Sequence, residues 1–142
     1  MMRESFYPFT KFMLNELEGG GRVHTVPGDP GGTTKWGFAQ KFNPDIDVTT
    51  LTEETATQRA LEKYWIPNGC DKAPWPLDVM IYDCAFNQSA KFAQGMHGMH
   101  IGTAVIARLL RYFDKSSPKF RPGLYSRVVL VLDYIRRNGG DI

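Results

Sequence analysis

Three side chains suited to acid and electrostatic chemistry follow one another near the start of the chain: Glu18, then Asp29 eleven positions on, then Thr34 five further on. Glu18 closes an amphipathic stretch and is followed by Gly19, Gly20 and Gly21. At a helix C-terminus the backbone dipole carries partial negative charge, which favours the protonated form of a carboxyl. Apolar neighbours such as Trp36 or Phe38 would act in the same direction by desolvation, and a carboxyl kept protonated is what a general acid requires. Asp29 stands in Asp29-Pro30-Gly31-Gly32, and Thr34 is followed by Lys35-Trp36-Gly37. An acid that protonates a leaving oxygen, with a second group that holds water or stabilises an oxocarbenium ion, is the set that glycoside hydrolysis needs. Each residue alone also has a plainer reading: an exposed Glu at a helix exit, and an Asp bonding its own turn backbone.

The elements that must position these residues can be read from periodicity. Phe6, Phe9, Phe12, Met13 and Leu17 recur at three- and four-residue spacing, which predicts a helix over Ser5 to Leu17 that stops at the glycines. Arg22 to Asn43 is dense in turn residues around short segments, Arg22 to Val26 and Thr33 to Phe38, and reads as a small Gly-rich β-hairpin lobe. Thr52, Glu53 and Glu54 open a second helix with Ala56, Ala60, Leu61, Tyr64 and Trp65 inward. Pro76 to Asn87 is apolar almost all round, as befits the central helix of a bundle. Two more helices are predicted, from Ile101 to Phe113 with Val105, Ile106, Leu109 and Leu110 inward, and from Leu124 to Arg137 with Tyr125, Val128, Val129, Leu132 and Ile135 inward. The fold class is α+β, predominantly α-helical.

Composition bounds the alternatives. The chain has 142 residues, 42% apolar and 23% charged, which suits one globular domain, and its net charge of +2 is too small to argue for nucleic acid. Two cysteines, Cys70 and Cys84, make no disulfide framework and no zinc motif, so both are expected reduced. His97 and His100, three apart, lack a third ligand, and neither a metal nor another cofactor is expected. Met1 to Pro8 holds no apolar run of signal-peptide length, and the expectation is synthesis in a (host) cytoplasm. The basic residues of the last helices, Arg108, Arg111, Lys115, Lys119, Arg121, Arg127, Arg136 and Arg137, read as a solvated face able to attract anionic wall polymer or lipid headgroups.

The ordered pair Glu18-Gly19-Gly20 and Asp29-Pro30-Gly31-Gly32-Thr33-Thr34-Lys35-Trp36-Gly37 resembles the signature of glycoside hydrolase family 108, the N-acetylmuramidases found as phage endolysins and lysozyme-like proteins. The stretch ATQRALEKYW, from Ala56 to Trp65, is similar to the family's helix ending in Tyr-Trp, and Leu77 to Ser89 to its buried helix. The chain departs from the pattern at Ser89, where Gly is common, and at Gly21, where an aromatic often stands. The resemblance implies a lysozyme-like helical domain with Glu18 as catalytic acid and Asp29 and Thr34 in the catalytic site. It also implies Asp83 and Asn87 in the central helix beside the cleft, for substrate contact, although such a polar pair also serves to satisfy buried backbone groups. From its place beside the motif Trp36 is read as stacking on a sugar, and His24, next to the same cleft, either touches substrate or is a solvated strand histidine. The whole chain, 1–142, is expected to be one catalytic domain, its part from Lys91 onward a reduced relic of a peptidoglycan-binding helical module.

Peptidoglycan strands are the implied substrate, with a holin-type membrane-permeabilising protein as partner, no nucleic acid, no transmembrane segment and a monomeric state. The order of Glu, Asp and Thr also resembles the phage lysozymes of glycoside hydrolase family 24, as an analogy of arrangement. Two other readings fit the same residues: a wall-binding or virion structural protein without activity, and a lytic transglycosylase, which needs the Glu alone.

Overall fold

The structure, a computed structural model, describes residues 3–25 and 32–142. It has the predominantly helical α+β character expected, with one small antiparallel sheet. The chain divides into two compact units, Phe6–Lys63 and residues 3–5 with Tyr64–Ile142. Among the described residues no helix is long and apolar enough to cross a membrane.

The first unit opens with α1 (Phe6–Phe12), which buries Phe6, Phe9, Thr10 and Phe12. Its continuation differs from the regular helix expected. Met13–Leu17 is a π-helical turn, and the Glu18 N–H donates to the Met13 carbonyl, five residues back, at 2.9 Å. Such wide turns are uncommon and concentrate at functional sites. The lobe is a three-stranded antiparallel sheet in the order β1 (His24–Thr25), β2 (Thr33–Lys35), β3 (Phe38–Ala39). The expected single segment Thr33 to Phe38 is therefore two strands with Trp36-Gly37 as the turn between them. Gln40 then clamps the chain after β3: its amide nitrogen donates to the Asn43 and Ile46 carbonyls, and its oxygen accepts from the Val48 N–H. Helix α2 (Glu53–Ala60) starts from a reciprocal cap, in which Thr52 Oγ1 accepts from the Thr55 N–H and Thr55 Oγ1 from the Thr52 N–H.

The second unit is built on α3 (Leu77–Asn87), whose residues from Leu77 through Ala85 are all buried. Around it stand α4 (Ala90–Gln94), α5 (Ile101–Lys115) and α6 (Arg121–Arg137). The faces of α5 and α6 correct the sequence reading. The residues turned inward are Ile101, Ala104, Val105, Arg108 and Tyr112 of α5, and Arg127, Val128, Val131, Tyr134 and Ile135 of α6. Ile106, Leu110 and Val129, expected inside, are exposed. Arg108 and Arg127, expected on a solvated face, are buried.

The cause is Asp83, which has no exposed surface. Its Oδ2 accepts from Arg108 Nη1 at 3.0 Å and its Oδ1 from Arg127 Nη2 at 2.8 Å. The rest of Arg108 is also satisfied: Nε donates to Gln88 Oε1 and Nη2 to the Tyr112 hydroxyl, which in turn donates to Asn87 Oδ1. A buried carboxylate leaves water only when cations and hydrogen bonds replace it, and here α5 and α6 each supply one cation to α3.

Burial alone would push the Asp83 carboxyl up, but the guanidinium groups of Arg127 and Arg108 hold it below the ordinary Asp value. With a folded-state pKa depressed, the stabilisation is complete above the unfolded value of about 3.9 and is lost as pH falls through the lower folded value. Asp83→Asn should therefore cost roughly 3–5 kcal/mol near neutral pH, because it strands two buried cations. Urea denaturation as a function of pH checks this: the wild type should lose stability below about pH 4, and the variant should be weaker and flatter there.

Candidate active site

Glu18 is half-buried and takes the last position of the opening helical run, with φ −100° and ψ 0°, a sparsely populated backbone region. Gly19 and Gly20 then follow at φ +81° and +77°, which only glycine adopts without strain. The Gly20 N–H returns to the Leu14 carbonyl at 2.9 Å and closes the turn. The chain thus leaves the helix abruptly just beyond the Glu18 side chain.

The sheet register brings the other candidates to this turn. His24 is paired with Thr34, and Thr34 with Ala39, so His24 and Thr34 share one face of the lobe. The imidazole of His24 reaches Gly19: its Nε2 lies 3.7 Å from where a Cβ on that glycine would stand, and it accepts a long hydrogen bond, 3.5 Å, from Arg22 Nε. Glu18, His24 and Thr34 therefore belong to one neighbourhood of the first unit. Asp29 falls outside the described residues, in the sequence that joins β1 to β2.

Trp36 holds the lobe in place. It has φ +54°, and with Gly37 at +80° it makes the two-residue turn between β2 and β3 that a twisted hairpin favours. For a non-glycine residue this conformation costs about 1–2 kcal/mol. The indole offsets that cost by packing over Gly21, where a Cβ would stand 2.7 Å from its Cζ2, and by donating from Nε1 to the Leu51 carbonyl at 3.2 Å. The absence of a side chain at Gly21 has its reason here, because the Trp36 ring fills that space. Trp36 remains partly exposed.

The remaining candidates lie in the second unit. Asp83, expected to touch substrate, is corrected to a structural role by its complete burial between two arginines. Asn87, four residues on, is exposed, with its oxygen held by the Tyr112 hydroxyl. His97 hydrogen-bonds the Asn68 carbonyl oxygen, and His100 caps α5 by accepting from the Gly102 N–H. No cluster of His, Cys, Asp and Glu suited to a metal occurs among the described residues. Cys70 and Cys84 are free and buried, and burial pushes both thiols up. A surface hollow of about 700 Å³ in the first unit is lined by Tyr7, Glu53, Glu54, Thr55, Thr57 and Gln58, and none of the candidate residues lines it.

Sequence reasoning missed Gly21 as a packing partner and Arg108 as a core cation. The signal for the second was present, since Arg108 falls on the stripe Ile101, Ala104, Val105, Tyr112. Gly21→Ala tests the first. The added methyl should displace an indole fixed at both ends, costing roughly 1–3 kcal/mol. A lower thermal midpoint with a red-shifted tryptophan emission is expected, whereas unchanged emission would mean that the ring does not rest on Gly21.

Comparison with known proteins adds three findings. No curated protein matches the chain. A solved structure, described as that of Brucella abortus SagA, superposes with a TM-score of 0.70 over 94% of this chain and 97% of that one at 22% identity, a likeness of fold. The family model described as Glycosyl hydrolase 108 matches residues 13–88, a span that runs from the π-helical turn before Glu18 to the end of α3. More than half of the chain lies in that match, and with the Glu18 turn and the Gly-rich lobe inside it the chain belongs to glycosyl hydrolase family 108.

Proposed function

We propose that the chain is a muramidase that hydrolyses the β-1,4 bond between N-acetylmuramic acid and N-acetylglucosamine in peptidoglycan. The observation that carries this reading is the placement of Glu18: half-buried, at the end of a widened turn, beside the lobe face that bears His24 and Thr34. Glu18 hands its proton to the glycosidic oxygen as the bond from the sugar's anomeric carbon breaks. Asp29, helped by Thr34, stabilises the cationic sugar or orients the water that attacks it. Trp36, partly exposed and rigidly held, offers a flat apolar surface for a sugar ring. His24, on the same face of the lobe as Thr34, adds a polar contact.

In this reading the enzyme serves as an endolysin. It is made in the cytoplasm and reaches the wall with the help of a membrane-permeabilising protein, or is carried by a virion.

Loss of turbidity of purified cell walls tests the assignment. Glu18→Gln keeps the shape of the side chain but has no proton to give, so the rate should fall about a hundred- to ten-thousand-fold. Asp29→Asn should also lower it severely, and Thr34→Ala less so. Lysis by Glu18→Gln at more than a few per cent of the wild-type rate would overturn the role. Products carrying reducing ends are expected; anhydro-muramyl ends in mass spectra would assign a lytic transglycosylase instead.

A further inference from the structure

Between α4 and α5 the second unit has a surface hollow of about 440 Å³, a size that suits a small ligand. Its floor is apolar: Phe92 of α4, Met96 and Met99 in the turns that follow, and Ala107 of α5. The space exists because small residues face it. Gly95 ends α4 with an ordinary helical φ of −71°. A Cβ there would meet the Phe92 carbonyl oxygen at 3.4 Å and nothing else within 4 Å beyond its chain neighbours. The backbone does not require glycine at this position, so what its missing side chain leaves is room in the hollow.

The polar side chains around this floor are donors. Arg111, one turn after Ala107, has its guanidinium 4.9 Å from the Phe92 ring centre, a contact that restrains the group and leaves its N–H donors unused. Among the described residues neither Arg111 nor Lys91 has a hydrogen-bond or ion-pair partner. Ser89 Oγ accepts from the Phe92 N–H at 3.2 Å, so its own hydrogen is available to a ligand. Arg108 adds nothing to this charge, since Asp83 neutralises it inside the unit. No Asp or Glu occurs between Asp83 and Asp114, and among the described residues no acid lines the hollow. Asp114 itself is exposed and makes no ion pair with Arg111. A restrained guanidinium that lacks an acceptor, beside an apolar floor, matches a ligand that is a carboxylate at one end and apolar beyond it.

We infer that the hollow binds the free carboxylate end of a short peptide with small apolar side chains. The carboxylate pairs with Arg111 and Lys91, the last amide carbonyl accepts from Ser89, and the methyl groups rest on Met96, Met99 and Phe92, an adaptable surface. A bare inorganic anion would leave the floor in water, and a fatty acid has no second group to accept from Ser89. The source of the peptide rests on the muramidase reading, because peptidoglycan carries peptide stems that end in an alanine carboxylate. All residues of the hollow lie beyond the span 13–88 that the family model matches, so this site is separate from the catalytic lobe.

Isothermal titration of the full chain with N-acetyl-D-alanyl-D-alanine tests this, with the C-terminal amide of the same dipeptide, octanoate and inorganic phosphate as comparators. Saturable binding of the acid is expected, with the other three at least tenfold weaker. Arg111→Gln removes the charged fork and should weaken binding about tenfold or more, and Arg111→Lys should recover part of the loss. Gly95→Leu, which fills the hollow, should abolish it. Circular dichroism should match the wild type in each. Lys91→Gln, at an exposed position, should weaken binding several-fold and keeps the test open if a change at Arg111 unfolds the chain. Glu18→Gln should bind the dipeptide as the wild type does, so failure of the catalytic role and failure of this site read out separately. No saturation by the dipeptide acid, equal binding of its amide, or wild-type binding by Arg111→Gln would overturn the site. So would stronger binding of octanoate, which would assign an acyl carboxylate, or equal binding of phosphate, which would assign a bare anion contact.

Discussion

Two successive left-handed residues, Gly19 and Gly20, decide where the Glu18 carboxyl stands. A side chain at either would raise the energy of the turn by about 1 kcal/mol or more, and the helix exit would open. With the exit fixed, Gly21 passes under the Trp36 ring and the turn is tied to the hairpin. Trp36 in turn depends on the Leu51 carbonyl, and the stretch that leads to Leu51 is folded back by the Gln40 side chain and by Lys35, which donates to the Thr49 carbonyl. The first unit can thus be followed as one line of dependence from a glycine pair to a catalytic candidate, through contacts that are mostly hydrogen bonds to backbone. This is how a small lobe with two- and three-residue strands becomes stiff enough to hold His24 and Thr34 beside a helix end.

The second unit handles buried polarity by charge. Ion pairs removed from water are weak contributors to net stability, since desolvation offsets most of the attraction. What the Asp83 pair of contacts does supply is register. Arg108 and Arg127 share one carboxylate inside the unit, that of Asp83, so α5 and α6 can rotate or slide against α3 only by pulling a buried cation from its counter-ion. The neutral partners Gln88, Tyr112 and Asn87 extend the same network to the end of α3.

Much of the fold could be read in the residues because period and capping are local. The Phe6, Phe9, Phe12 stripe, the Thr52 cap and the apolar run of α3 are where the sequence places them. The π-helical turn was not legible, because a five-residue hydrogen bond in place of a four-residue one has no compositional signal and depends on what the helix end must meet. The turn at Trp36-Gly37 was hidden for a related reason: tryptophan is a strand former, and its left-handed conformation is imposed by Gly21 and Leu51, fifteen residues away on each side. The motif pair around Glu18 and Asp29 was legible as the family's, and the matched span includes both. The assignment of Asp83 to substrate failed because an acid in an apolar helix can face a ligand or a buried cation, and the cations come from helices 25 and 44 residues later.

The same competition explains why α5 presents apolar side chains to water. Turned the other way, the helix would bury Ile106, Leu110 and Phe113 and expose Ile101, Val105 and Tyr112, an exchange of nearly equal apolar surface. At about 25 cal/mol per Å² the hydrophobic effect barely distinguishes the two faces. Removing Arg108 from Asp83 would cost about 3–5 kcal/mol, because the carboxylate would be left with one cation in a dry interior. The charge decides the face, and the second apolar row is left outside as a consequence of where one aspartate sits in α3. Among the described residues that row stays open to solvent apart from the Arg121 guanidinium over the Phe113 ring.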